Sequence, residues 1–358
     1  MTYGGDALGR VDGKAIFVRG GIAGELVRAQ VIEERGGFAR ARAVEVIEPV
    51  SERSEPRCPH FGFGTAACGG CHWQHIEYAA QRRFKTEIVR EQFQRIGRIP
   101  DAPVREVISS PQVWAYRNHV QFSVTPDGHV GFQAARSNRI VPIDVCPIVE
   151  PPILDWLQSH PRAKPGAGRL DVRSFQSPVT VKGVPLEVSE PSFFQVNTAF
   201  VGTLVDVVMA RLNLHGGESV LDAYCGVGLF GRFIAPLAGR VVGIESGPSA
   251  VQDARVNLAQ FDHVVLYEGL VENVLPSLDE AIQVAVLDPP RAGCGPRVIQ
   301  LLVERQVERM VYVSCDPSTL ARDARQLMDG GYGLVDVQPL DMFPQTYHVE
   351  TISTWIRI

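Results

Sequence analysis

The sequence predicts an α/β protein whose C-terminal half is a doubly wound parallel sheet, preceded by a small β-barrel and a central mixed α+β domain. From residue 189 onward, apolar strand patterns alternate with helical patterns, as in a parallel sheet covered by helices on both faces. A glycine-rich turn at residues 221–231 follows the first apolar strand of that half. In the first fifty residues, short segments alternate apolar and polar side chains, which is typical of a half-buried sheet.

The length and composition set the frame for these domains. The 358 residues suit three modules, which we expect at residues 1–52, 53–188 and 189–358. The net charge of −5 argues against non-specific coating of nucleic acid, although a local basic face can coexist with it. No apolar run approaches the ~20 residues that cross a bilayer, and the N-terminus lacks a signal-peptide pattern. We expect a cytoplasmic monomer with no membrane contact and no obligate protein partner.

The N-terminal module is predicted to carry arginines on one face of a twisted sheet. Strand patterns occur in AIFVRG, ELVRAQVIEE and FARARAVEVIE, with a tight connection at residues 35–37. Arg40 and Arg42 alternate with alanines, and Arg28 alternates with apolar residues on the preceding strand. This face is either an RNA-binding surface or a solvated sheet face, and the segment alone leaves both open.

The central module should contain one helix and several strands. Apolar residues recur at helical spacing from Tyr78 to about residue 96. The following segment predicts a hairpin that turns at residues 126–128, because proline, aspartate and glycine together favour a tight turn. Residues 160–168 are expected to form a loop.

Four cysteines of the N-terminal half form a candidate metal site. Cys58, Cys68 and Cys71 have C-x9-C-x2-C spacing, and Cys146 follows a distant strand. In a cytoplasmic protein such cysteines indicate metal binding or catalysis before disulfides. The glycines at 69–70 allow backbone amides to turn toward the sulfurs. Four thiolates suit a tetrahedral zinc or a [4Fe–4S] cluster, and the spacing leaves both open.

The glycine-rich turn predicts a Rossmann-like nucleotide site. Gly226, Gly228 and Gly231 have the G-x-G-x-x-G spacing, and Glu245 ends the next strand, where an acid can hold ribose hydroxyls. The pattern alone does not separate NAD from S-adenosyl-L-methionine. Asp222 lies shortly before the glycines, where it would repel a pyrophosphate and stabilise an ammonium group, which favours S-adenosyl-L-methionine.

The segment VLDPPRAG is predicted to border the same crevice. Asp288 ends a later parallel strand, and the two prolines after it can form a rigid wall beside a flat base. An N-cap of a helix is the alternative role for Asp288.

A thiol and a carboxylate near the C-terminus suit methylation at C5 of a pyrimidine. A thiolate that adds to C6 makes C5 nucleophilic, and a base must later remove the C5 proton. Cys315 ends an apolar strand just before a predicted helix, whose N-terminus should lower the pKa of the thiol. Glu350 lies among apolar residues, which should raise its pKa. Singly, each residue also fits a purely structural position.

With these motifs the chain resembles the RNA uracil-C5-methyltransferase family, in the iron–sulfur branch that modifies 23S ribosomal RNA. The resemblance spans essentially the whole chain and rests on FFQVN, LDAYCGVG, LDPPRAG, VSCDPSTLARD and HVETI, while the opening segment resembles a TRAM domain, an OB-like barrel. It implies that Cys315 is the nucleophile and Glu350 the base. The cofactor-binding residues implied by the motifs are Gln195, Tyr224, Gly226, Gly228, Glu245 and Asp288. The implied [4Fe–4S] ligands are Cys58, Cys68, Cys71 and Cys146.

The chain departs from the family pattern at two places. Nine residues separate Cys58 from Cys68, where relatives usually have five, and Leu229 stands where relatives commonly have asparagine. Arg291 follows the second proline of the DPP segment, where cytosine-modifying enzymes have a cysteine, which counts against cytosine as the target.

The expected activity is therefore formation of 5-methyluridine in RNA, with 23S rRNA as the partner. The same chemistry on tRNA and a non-catalytic iron–sulfur RNA-binding or assembly factor are the alternatives.

Overall fold

The computed structural model describes all 358 residues, which form seventeen strands and eight α-helices. The strands are β1 (Ala7–Val11), β2 (Lys14–Arg19), β3 (Leu26–Glu34), β4 (Phe38–Glu48), β5 (His119–Val124), β6 (Val130–Gln133), β7 (Ile140–Pro142), β8 (Arg169–Arg173), β9 (Val179–Val181), β10 (Val184–Leu186), β11 (Ser219–Ala223), β12 (Arg240–Glu245), β13 (Val264–Glu268), β14 (Val284–Leu287), β15 (Arg309–Ser314), β16 (Tyr332–Leu340) and β17 (Glu350–Arg357). The helices are α1 (Tyr78–Arg95), α2 (Pro151–Ser159), α3 (Thr198–Leu212), α4 (Leu229–Ile234), α5 (Pro248–Leu258), α6 (Val271–Val274), α7 (Gly295–Glu304) and α8 (Pro317–Asp329).

The chain divides into two compact units. The first comprises Met1–Ile88, Gln112–Ser174 and Phe343–Tyr347, and the second comprises Val89–Pro111, Phe175–Met342 and His348–Ile358. Neither boundary coincides with the predicted limits at residues 52 and 188, so the three-module division stays a prediction. No helix is both long and apolar enough to cross a membrane.

The N-terminal sheet of the first unit has the strand order β1-β2-β4-β3. Strands β2 and β4 pair in parallel, and the other neighbours pair antiparallel. Ala39 and Ala41 are buried, whereas Arg40 and Arg42 point to the other face and are half-buried. The predicted alternation of alanine and arginine is therefore present.

A second sheet of the first unit has the antiparallel order β7-β6-β5-β8. The predicted hairpin is formed by β5 and β6, and the Gly128 amide donates a hydrogen bond to the Thr125 carbonyl at 2.9 Å across the turn. Gly128 has a φ of +93°, and a Cβ there would lie 2.7 Å from the Ala163 carbonyl oxygen, so the turn requires glycine. Phe122 and Ile153 lie in the fully buried core beside this sheet.

The second unit contains a seven-stranded sheet with the order β13-β12-β11-β14-β15-β17-β16. The first five strands are parallel, as predicted, whereas β17 is antiparallel to both β15 and β16. The connection from β16 to β17 contains no helix, and strands joined without a crossover helix pair antiparallel. This antiparallel pair was not predicted. Helices follow the parallel strands, and apolar strand residues such as Val220 and Leu221 are fully buried.

Candidate active site

The carboxyl ends of the parallel strands form one edge of the seven-stranded sheet. The strand order reverses between β11 and β14, because β12 and β13 lie on one side of β11 and β14 and β15 on the other. In open parallel sheets, ligands bind outside the carboxyl ends of the strands at this reversal point. Residues that follow β11, β12, β14 and β15 therefore meet at one edge, and these include most of the predicted site residues.

The glycine turn after β11 adopts the backbone that its sequence predicts. Gly226 and Gly228 have φ values of +54° and +82°, a region that favours glycine. Tyr224 also has a positive φ of +62°, which is uncommon for a residue with a side chain and is found at constrained functional sites. The turn leads into α4, which begins at Leu229.

Asp222 is buried beneath this turn and keeps one oxygen without a partner. Its Oδ2 accepts a hydrogen bond from the Gly231 amide at 2.8 Å, whereas Oδ1 has none. Burial raises the pKa of Asp222 to about 8, and the nearby Asp288 and Glu245 carboxylates raise it further. A buried, unpaired carboxylate oxygen is costly unless a cationic or hydrogen-bonding ligand satisfies it.

Glu245, at the end of β12, is bound to backbone amides. Its Oε2 accepts from the Gly226 amide at 3.0 Å, and its Oε1 accepts from the Ser246 and Gly247 amides at 2.7 Å each. The carboxylate is thereby held against the glycine turn. Glu245 thus lies at the end of the second strand, beside the glycine turn, and its binding of ribose hydroxyls stays a prediction.

Asp288 directly follows β14 at the same edge. Its amide donates to the Ala223 carbonyl at 3.3 Å, so the segment after β14 continues beside the end of β11. Burial raises the pKa of Asp288 to about 7, with Glu245 as the second cause. The helix that follows begins only at Gly295 and has Cys294 as its N-cap, so Asp288 is not a helix cap.

Cys315 and Glu350 meet across a pair of antiparallel strands. Ser314, the last residue of β15, pairs with Thr351 on β17. Continuing this register by one residue sets Cys315 opposite Glu350, the first residue of β17. The two side chains are electrostatically coupled, since Glu350 raises the pKa of Cys315. The pair separated by thirty-four intervening residues in the sequence thus converges at the sheet edge.

The expected pKa shift is confirmed for Glu350 and is wrong for Cys315. Burial raises the pKa of Glu350 well above its usual range, and Asp288 adds to the effect. Burial and then Glu350 also raise the pKa of Cys315 to about 12. The N-terminus of α8 does not counter this, because the Asp316 side chain already caps the amides of Ser318 and Thr319. Asp316 adds a negative charge beside the thiol instead.

Arg291 is the nearby cation that acts on both groups. It lowers the pKa of Cys315 and of Glu350, and its side chain belongs to an exposed residue of the segment between β14 and α7. Sequence reasoning used Arg291 only to argue against cytosine and did not assign it to the site.

A buried network anchors the segment that carries Arg291. The Cys294 amide donates to Asp323 Oδ2 at 2.9 Å and to the Tyr312 hydroxyl oxygen at 3.0 Å. Arg322 binds Asp323 Oδ1 and the carbonyl of Ala292 at 2.8 Å each. The sequence alone did not indicate this network, because Tyr312 and Asp323 occupy positions that are unremarkable in a strand and a helix.

Gln195 is buried in the segment that leads into α3. Its predicted contribution to cofactor binding stays a prediction.

The four N-terminal cysteines line a single cavity of about 210 Å³ in the first unit. The Gly70 amide donates to Cys68 Sγ at 3.4 Å, as the flanking glycines predict. A Cβ on Gly69 would lie 2.7 Å from the Ala135 amide nitrogen, so this close approach requires glycine. No group of three or more His, Cys, Asp or Glu side chains is arranged to hold a metal ion. The predicted metal site at these cysteines therefore stays a prediction.

Comparisons with known proteins agree with this architecture. Residues 276–356 match the family model described as tRNA (uracil-5-)-methyltransferase, and residues 2–44 match the TRAM domain model. An uncharacterised RNA methyltransferase of Streptomyces coelicolor is 38% identical and aligns over 99% of this chain and 90% of its own. One from Halalkalibacterium halodurans is 31% identical, over 99% of this chain and 94% of its own.

A solved structure shares the fold. The tRNA (uracil-54, C5)-methyltransferase of Pyrococcus abyssi, in complex with S-adenosyl-L-homocysteine, has a TM-score of 0.72, with 23% identity and 95% of each chain covered. The predicted α/β methyltransferase fold with an N-terminal TRAM domain is confirmed.

Proposed function

The chain belongs to the RNA methyltransferase family of these relatives, with a C-terminal region of the uracil-5-methyltransferase type, and we propose that it forms 5-methyluridine in 23S rRNA through a covalent Cys315 adduct. The observation that carries the proposal is the strand register that sets Cys315 opposite Glu350. A thiol and a carboxyl group at this position can act in turn on C6 and C5 of one uracil ring.

The proposed reaction uses the two residues in sequence. Cys315 gives its proton to solvent water, and the thiolate forms a bond to C6 while the C5–C6 double bond opens to an enolate, which makes C5 nucleophilic. After C5 has accepted a methyl group, Glu350 removes the C5 proton, the C6–S bond breaks, and the thiolate leaves. Burial raises the pKa of Glu350, so this group is a stronger base than an exposed carboxylate once it is deprotonated, the form in which it can accept the C5 proton. Arg291 favours the thiolate form of Cys315.

The residues around the glycine turn fit S-adenosyl-L-methionine. The unpaired Asp222 Oδ1 offers a buried acceptor to an ammonium group, and Glu245 lies where an acid binds ribose hydroxyls. We propose that Gln195, Tyr224, Gly226, Gly228, Glu245 and Asp288 form the cofactor site. When bound there, S-adenosyl-L-methionine supplies the methyl group. The P. abyssi enzyme of similar fold was solved with the demethylated product of this compound.

The cysteine-lined cavity is the candidate site for a [4Fe–4S] cluster. All four cysteines line one cavity of about 210 Å³. The rest of the lining is mixed, with apolar side chains such as Val120 and Ile148 beside polar ones such as Gln74 and Arg117. Four cysteine thiolates are the usual ligand set of such a cluster. We propose Cys58, Cys68, Cys71 and Cys146 as its ligands.

Transfer RNA is the second candidate substrate, because the P. abyssi protein of similar fold is named for a tRNA uracil. Mapping 5-methyluridine in the rRNA and tRNA of a deletion strain tests both. We expect one 23S rRNA uridine to lose its methyl group and to regain it with the wild-type gene but not with Cys315→Ala. Loss from tRNA alone would select the second candidate. Restoration by Cys315→Ala would contradict the covalent mechanism, and unchanged RNA would favour a non-catalytic factor.

A further inference from the structure

A concave surface of the first unit gathers four arginines. It is a cavity of about 410 Å³ whose lining includes Arg19, Arg40, Arg42 and Arg136, which we call the arginine pocket. Arg40 and Arg42 come from β4 and Arg19 from β2, whereas Arg136 comes from the connection between β6 and β7. Arg19 and Arg136 belong to no recognisable sequence motif, so only the fold shows that the four arginines lie together.

The positive charge of the arginine pocket is only partly neutralised. Asp6 lies among the guanidinium groups, with its oxygens 3.3 Å from Arg136 Nη2, 3.5 Å from Arg40 Nη1 and 3.9 Å from Arg19 Nε. Glu33 is the other carboxylate of the lining. Four cations thus face two anions, an excess of two positive charges at a concave surface.

The arginines are also close enough to repel one another. Burial lowers the pKa of Arg19, and Arg136, Arg40 and Arg42 lower it further. Arg42 has a neutral partner, with its Nη2 donating to Gln30 Oε1 at 2.9 Å. A guanidinium carries five N–H donors, so the cluster retains donors for an oxyanion. An anion that bridges these groups would relieve the repulsion.

Aromatic rings continue the surface away from the arginine pocket. A neighbouring cavity of about 270 Å³ shares Arg19, Arg136 and Phe63 with it and is also lined by His72 and Tyr347. The rings of His72 and Tyr347 lie 4.6 Å apart between centroids.

The Phe63 ring is fixed at the junction of the two cavities. Phe63 belongs to the nine residues between Cys58 and Cys68. A Cβ on Gly20, at the end of β2, would lie 2.6 Å from this ring, so the long loop packs directly against the N-terminal sheet.

We propose that this surface binds single-stranded RNA outside the target nucleotide, with a backbone phosphate in the arginine pocket and an unstacked base against the aromatic rings. Cationic grooves flanked by aromatic side chains bind single strands in this way. An acidic peptide could bind the four arginines, but its carboxylates would make no favourable contact with the aromatic rings. The assignment rests on the proposed function for the identity of the nucleic acid, while the pocket itself rests on the geometry.

The test measures binding of a fluorescent single-stranded RNA of about 12 nucleotides to the full-length, anaerobically prepared protein at several salt concentrations. Arg42→Gln and Arg136→Gln are compared singly and together with wild type. Arg28→Gln is the matched control, because Arg28 lies on β3 of the same sheet, is exposed, pairs with Glu45 and does not line the cavity. Thermal unfolding of each variant, compared with wild type, checks that the first unit, which carries all the substitutions, is folded.

We expect the double variant to bind RNA about tenfold more weakly or worse, since charge-assisted contacts are lost. The slope of log affinity against log salt should fall by roughly 0.7 for each lost phosphate contact. Arg28→Gln should keep the wild-type slope, and a duplex of the same sequence should bind more weakly than the single strand. A double variant with wild-type affinity and slope would overturn the phosphate site, as would an equal loss in Arg28→Gln. Equal binding of duplex and single strand would overturn the aromatic part. This binding assay does not depend on methyl transfer. If the mapping experiment found no 5-methyluridine that depends on this protein, the proposed function would be contradicted, but the measured RNA binding would still test the arginine pocket.

Discussion

The Tyr312 hydroxyl donates a hydrogen bond to Asp323 Oδ2 at 2.8 Å, and both residues are fully buried. Tyr312 lies on β15, three residues before Cys315, and Asp323 lies on the helix that follows Cys315. The same carboxylate oxygen binds the Cys294 amide, at the end of the segment that carries Arg291. The segments that carry Cys315 and Arg291 are therefore joined by one buried network.

Replacing Tyr312 by phenylalanine should loosen this network without emptying the core. Asp323 loses one donor while keeping the Cys294 amide and Arg322, so we expect a loss of about 1–3 kcal/mol in the free energy of unfolding. Arg291 should become less well positioned beside Cys315, which slows formation of the covalent RNA adduct. Denaturant unfolding and the rate of adduct formation measure the two effects. Unchanged adduct formation in a variant with the expected loss of stability would limit the network to a structural role.

Glu350→Gln should block the last step of the reaction and spare the first. Thiol addition and methyl transfer do not need the base, but the C5 proton then has no acceptor, so methylated RNA should stay attached to the protein. A denaturing gel detects the adduct, and we expect turnover to fall by at least about a hundredfold. Cys315→Ala is the control, because it removes the attachment point. Wild-type turnover by Glu350→Gln with no adduct would rule out the base role.

The reactivity of Cys315 should report the charges around it. In the free protein its pKa is raised to about 12, so alkylation by iodoacetamide should be slow at neutral pH and should still accelerate above pH 9. At a pH above the raised pKa of Glu350, the wild-type protein has a negative charge beside Cys315 and the Glu350→Gln variant has none. In that pH range Glu350→Gln should therefore lower the pKa of Cys315 and speed its alkylation. Arg291→Gln should raise the pKa of Cys315 and slow alkylation, because each unit of increase in pKa lowers the thiolate fraction about tenfold.

Mass spectrometry assigns the alkylated cysteine and separates Cys315 from the others. Equal pH profiles for wild type, Glu350→Gln and Arg291→Gln would contradict the electrostatic coupling.

Much of the second unit could be predicted because its strands are short apolar runs that are buried on both faces and end in motifs. Asp222 and Glu245 lie at the carboxyl ends of β11 and β12, and Asp288 directly follows β14. Parallel strands must present such residues at one edge of the sheet. The antiparallel β17 could not be predicted in this way, since a strand pattern carries no information about direction. Its placement is nevertheless what brings Glu350 to Cys315.

The remaining differences arise from contacts between distant residues. The pKa of Cys315 was expected to fall because the helix that follows is visible in the sequence, while its capping by Asp316 and the approach of Glu350 are not. Likewise, Arg19 and Arg136 are more than a hundred residues apart, and only the fold places both beside Asp6. Local patterns predict elements better than they predict electrostatics.

The cysteine-lined cavity predicts an iron–sulfur protein that depends on Cys146. Anaerobically purified wild type should be brown and contain about four irons per chain, the stoichiometry of a [4Fe–4S] cluster. Cys146→Ser should lose iron, and its melting temperature should fall, because ligation joins Cys146 to the 58–71 segment and metal binding of this kind contributes to folding. Cys225→Ser is the matched control, since Cys225 is equally buried but lies outside the cavity, and it should keep its iron. Colourless protein with one zinc per chain would contradict the cluster. Full iron content in Cys146→Ser would remove Cys146 from the ligand set.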